Sequence, residues 1–111
     1  MKAYNKLIRD KIPEIIEATG RKAVTRVLDE AEYRHLLDVK LQEELKEYLT
    51  ANQPSDQIAE LADLVEVVYA ILACHGVTLH QFEQIRLEKK VQRGGFDDRL
   101  LLVRVEEPGE N

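Results

Sequence analysis

The chain has 111 residues, 44% of them hydrophobic and 33% charged, with a net charge of −5. That length supports one domain with a modest core, expected to span residues 1–111. The negative charge argues against nucleic acid or an anionic membrane as partner, and Cys74, the single cysteine, excludes an internal disulfide, as fits a reducing cytoplasm.

The opening MKAYNKLIRDKIPEII lacks the uninterrupted apolar stretch of a signal peptide. Within it, Pro13 suits the first turn of a short helix capped by Asp10 and ended by Gly20. RKAVTRVLD then alternates and is rich in β-branched residues, so 22–28 reads as a strand. Asp29 with Glu32 forms a capping box that opens a long helix to about Ala51. NQPSD is a turn, and Ser55 or Asp56 is expected to cap an apolar helix over 56–75 that Gly76 terminates. Thr78 with Gln81 opens a further helix through about Gln92, broken by Arg93-Gly94-Gly95-Phe96. RLLLVRVEE reads as a second strand at 99–106, ahead of a PGEN tail. The expected fold is mainly α: a helical bundle of three longer helices plus a short N-terminal helix. The two strands could pair into a small two-stranded β-sheet.

Two acidic helices carry the functional signal. Leu37, Leu41, Leu45 and Tyr48 mark the apolar stripe of the first long helix, with Glu44 inside it, Glu47 at its edge and Glu43 further round. A buried unpaired carboxylate is costly, so Glu44 needs a cation, a proton or a strong partner. Between Ile58 and Cys74 every residue except Glu60, Asp63 and Glu66 is apolar. The three acids argue against a membrane span, and the helix is expected to be covered on nearly all sides. Residues three apart on a helix project about 60° from each other, so Glu44/Glu47 and Glu60/Asp63 each present two carboxylates to one point. That donor set suits a hard divalent cation, Mg²⁺ or Mn²⁺. Glu66 lies on another face, to pair with a base such as Arg86 or to meet solvent at an interface.

Glu43-Glu44-x-x-Glu47 followed by Glu60-x-x-Asp63 resembles the EExxE…ExxD pattern of the MazG-like, all-α nucleoside triphosphate pyrophosphohydrolases. The opening YNKLIRDKIP (4–13) and the later KKVQRGGF (89–96) look like a branch related to phosphoribosyl-ATP pyrophosphohydrolases, so the resemblance covers nearly the whole chain. It implies a single MazG-like domain that hydrolyses a nucleoside triphosphate to monophosphate and pyrophosphate. Glu44, Glu47, Glu60 and Asp63 match the Mg²⁺ ligands, and Glu43 matches a glutamate placed to hold or deprotonate the attacking water. Lys90 and Arg93 match phosphate-binding positions, and Lys6 and Arg9 form a second basic group suited to the same anion.

His35, His75 and His80 are scattered, which argues against zinc, and GxxxxGK[ST] is absent, which excludes a P-loop. His75 suits a helix C-terminus, Tyr69 reads as core, and Cys74 as a small buried hydrophobe. An apolar helix of this kind is more than a 111-residue monomer easily covers, so a homo-oligomer, a dimer or higher, is expected. The alternative is a non-catalytic helical interaction module, or a metal-binding protein, with an acidic face. Exposure of Glu44, Glu60 and Asp63 would favour that module.

Overall fold

The computed structural model describes residues 1–109, and among them every regular element is a helix. These are α1 (Ile12–Glu17), α2 (Glu30–Thr50), α3 (Pro54–Cys74) and α4 (Leu79–Arg93). The chain resolves into two compact units, Met1–Thr78 with the first three helices and Leu79–Asn111 with α4.

Local chemistry accounts for most helix ends. Asp29 accepts a hydrogen bond from the Glu32 amide at 2.8 Å and starts α2, a cap that contributes roughly 0.5–2 kcal/mol. His75 occupies the C-cap of α3, where Gly76 adopts φ +69°. The Gly76 amide donates to the Ala73 carbonyl and the Val77 amide to that of Leu72, each at 3.0 Å, which closes a Schellman turn.

Two expected caps are corrected. Lys11, not Asp10, precedes α1, without a side-chain cap bond. The α3 helix starts at Pro54 with Gln53 as its N-cap, so Ser55 and Asp56 lie inside the first turn. Proline has no amide hydrogen to leave unsatisfied at a helix start, so it takes that place.

Both expected strands are also corrected, because no ladder forms among the described residues. Residues 22–28 are extended with Val24 and Val27 exposed, and Arg26 turns to Glu32 at 2.7 Å instead. Residues 99–106 are likewise irregular, with Leu100 through Val103 exposed. Each stretch belongs to a different unit and finds no neighbouring strand there. An alternating pattern without a ladder partner does not make a sheet.

The α2 and α3 helices pack as a hairpin joined by Ala51, Asn52 and Gln53. The Gln57 side-chain amide donates to the Ala51 carbonyl at 3.3 Å and pins the turn. Among the described residues the buried ones are Leu37 of α2, Val67 of α3 and Glu44. The apolar stripe of α2 is only partly covered, since Leu45 is exposed. The α3 helix, expected to be enclosed, exposes Ile58, Leu61, Val65 and Tyr69 within the single chain. One helix covers only one face of a cylinder. Cys74 is half-buried rather than fully enclosed, and its carbonyl accepts from Arg34 at 2.7 Å.

Candidate metal centre

The hairpin brings the two acidic motifs together. One carboxylate oxygen from each of Glu44, Glu47 and Glu60 can be chosen so that all three lie within 4.8 Å of one another. Glu44 sits three residues before Glu47 on α2, and Glu60 faces them from α3. Glu44 is 6% exposed, Glu60 is half-buried and Glu47 is exposed, so the group runs from the core to the surface.

Its oxygens are incompletely satisfied. Lys40 reaches Glu44 Oε1 at 3.5 Å, but Oε2 of Glu44 and Oε2 of Glu60 are buried without any hydrogen-bond partner. An orphaned buried acceptor costs roughly 1–3 kcal/mol, a cost that a bound cation would offset. Charge crowding registers in the protonation equilibria. A hydrogen bond shared with the Glu47 carboxylate, then burial, then the charge of Glu47, a hydrogen bond to Glu44 and the charge of Asp63 push Glu60 up to about 7 from an ordinary 4.5. Burial and Glu47 also raise Glu44, against the opposing pull of Lys40. Three crowded carboxylates, with two buried oxygens facing no donor, match the donor chemistry of a hard divalent cation.

Asp63 lies beside this group but outside it. Arg9 Nη2 donates to Asp63 Oδ1 at 2.6 Å. Glu43 pairs with Lys6 at 3.7 Å and with Lys40 at 3.4 Å. Of the nine residues singled out by sequence, the first unit therefore gathers seven: Glu43, Glu44, Glu47, Glu60, Asp63, Lys6 and Arg9. Lys90 and Arg93 belong to the last turn of α4 in the other unit. Glu66 is exposed, and Arg86 pairs with Glu83 one turn earlier on its own helix.

Sequence reasoning missed Lys40, which bridges Glu43 and Glu44. Its spacing of three and four residues before those acids was the available signal. The α2–α3 connection is more than a turn. There Glu47, Thr50, Ala51, Asn52, Gln53, Asp56 and Glu60 line an open cleft of about 510 Å³ that shares two acids with the cluster.

The family model for phosphoribosyl-ATP pyrophosphohydrolase matches residues 1–90. The chain belongs to that family. This places it in the MazG-like all-α NTP pyrophosphatase superfamily, whose helical fold agrees with the four helices seen here. A segment of this pyrophosphohydrolase-family chain is 50% identical over 46 residues to a protein of Mycolicibacterium smegmatis (strain ATCC 700084 / mc(2)155) described only as uncharacterized. The match covers 41% of this chain and 47% of that relative, about half its length. No solved structure matches the chain. No single helix among the described residues is long and apolar enough to cross a membrane.

Proposed function

We propose that this protein is a divalent-cation-dependent nucleotide pyrophosphohydrolase. Its substrate is a nucleoside triphosphate or a related phosphoanhydride, cleaved to nucleoside monophosphate and pyrophosphate. Removal of non-canonical nucleotides in the cytoplasm is the role that fits this reaction. The observation carrying the proposal is the Glu44–Glu47–Glu60 group with its two orphaned buried oxygens. Glu44, Glu47 and Glu60 would hold Mg²⁺, or Mn²⁺ in its place, with Asp63 adjacent. When bound, such a cation neutralises polyphosphate charge and polarises the phosphorus centre.

The remaining residues divide the work by position. Glu43 lies next to the cluster in sequence and is half-buried, placed to accept a proton from a water aligned for attack. Lys6 and Arg9 supply positive charge at the rim, where a polyphosphate would arrive. Lys90 and Arg93, in the last turn of α4, are assigned to phosphate binding through the family pattern alone. The cleft beside the cluster carries the Thr50 hydroxyl and the Asn52 and Gln53 amides, chemistry suited to the nucleoside end.

Burial of Glu44 weighs against the non-catalytic module, because a face that recruits a basic partner keeps its carboxylates accessible. The apolar surface left open on α3 is assigned to a second copy of the chain in a two-fold dimer. Sedimentation is expected to give twice the chain mass of 12.8 kDa. A monomer that persists at high concentration would remove the dimer from this reading.

Pyrophosphate release from a panel of canonical and modified nucleoside triphosphates tests the activity. Release is expected with Mg²⁺ or Mn²⁺, with nucleoside monophosphate as co-product and none in chelator. Orthophosphate as the product, or turnover insensitive to chelator, would overturn the assignment.

A further inference from the structure

Arg9 and Asp63 are separated by 54 positions in sequence, yet they form the shortest contact at the rim of the site, 2.6 Å. Asp63 matches a ligand position of the acidic motif, but its carboxylate is left out of the group that Glu44, Glu47 and Glu60 form. It is nevertheless close enough for its charge to act on both Glu44 and Glu60. We infer that Arg9 is a tethered counter-cation coupling the two ligands of the site. It neutralises Asp63 until a polyphosphate takes its guanidinium, and the freed Asp63 would then be available, with Glu44, Glu47 and Glu60, to hold a divalent cation.

Three features make the exchange favourable. The Arg9 side chain is 55% exposed and that of Asp63 42%, so the pair is solvated and contributes little on its own. Residues 1–9 form no helix or strand, so moving the guanidinium breaks no regular backbone ladder. A guanidinium fork matches a phosphate at least as well as a carboxylate, and a polyphosphate carries more charge than Asp63. Charge balance points the same way. Glu43, Glu44, Glu47, Glu60 and Asp63 face Lys6, Arg9 and Lys40. Fully ionised, that set has a surplus of two negative charges, the charge of one divalent cation. When Arg9 leaves for a phosphate, the acids gain further attraction for that cation. The two ligands therefore bind with positive coupling, and by linkage each strengthens the other equally.

The inference rests on the cation site proposed above, and Mn²⁺ binding separates the two. Binding to the full-length chain is followed by paramagnetic resonance at matched free Mn²⁺, with and without imidodiphosphate as a non-hydrolysable pyrophosphate. Wild type is expected to bind Mn²⁺ more tightly when imidodiphosphate is present. Arg9→Ala should bind Mn²⁺ alone roughly two- to tenfold tighter than wild type, since the competing charge is gone, and should lose most of the enhancement. Arg9→Lys keeps the charge without the fork and should recover part of it. Weaker Mn²⁺ binding in Arg9→Ala, with its helical circular dichroism intact, would make Arg9 a fixed orienter of Asp63 and overturn the coupling. Unchanged affinity and unchanged enhancement would overturn it as well. Wild type without any Mn²⁺ binding that Glu60→Gln removes would sink the cation site itself, and this inference with it.

Discussion

Glu60→Gln is expected to abolish hydrolysis while making the metal-free protein more stable near pH 8. The substitution keeps the side-chain volume and removes one of three charges whose oxygens lie within 4.8 Å of one another. At pH 8 a neutral amide can still donate to the Glu47 or Glu44 carboxylate, where an ionised carboxylate can only repel it. Metal binding needs the lost charge and the lost oxygen, so the loss of activity should exceed the roughly 10- to 100-fold typical of removing an outer partner. Opposite signs for activity and stability distinguish a functional cluster from a structural one. Calorimetric melting of the chelator-treated variant beside wild type provides the check, together with pyrophosphate release at saturating Mg²⁺. A lower melting temperature for the variant, or retained activity, would refute the assignment of Glu60. Glu60→Ala should likewise keep its helical signal, since the residue fills no core position.

The second large effect is a dependence of stability on pH that the cation reverses. Glu60 titrates near 7 in the folded chain against an ordinary 4.5, and Glu44 is raised in the same direction. A raised folded value means the native state holds the proton more tightly than the unfolded chain does. The associated stability is therefore fully present below about 4.5 and is lost as pH rises to 7. Metal-free wild type should melt at progressively lower temperature across that window, apart from contributions of other groups. Glu60→Gln should flatten the slope. Saturating Mg²⁺ should restore stability above pH 7, because binding to the ionised acids displaces the same protons. Proton release on binding at pH 6–7, read from the buffer dependence of the calorimetric enthalpy, gives a second check. A metal-free protein whose stability climbs through the window, with Glu60→Gln showing no such climb, would mean that these carboxylates are already well paired.

The acidic motifs, the α2 cap at Asp29 and the Gly76 stop were all legible because each is a local pattern. Spacings of three and four residues place side chains on one helix face, and an N-cap or a left-handed glycine works within a few residues. The same locality explains the errors. Residues 22–28 and 99–106 alternate as strands do, but a strand exists only beside a partner, and neither stretch has one within its unit. The run over 58–74 reads as enclosed from its apolarity alone, yet α2 covers a single face of α3. Asp63 shows the limit most plainly. Its spacing from Glu60 marked it as a fourth ligand, and only the folded chain brings Arg9 across 54 positions to hold that carboxylate. Residue type and helical period set which groups share a face, whereas which cation meets which carboxylate depends on Coulomb contacts that exist only once distant segments have packed.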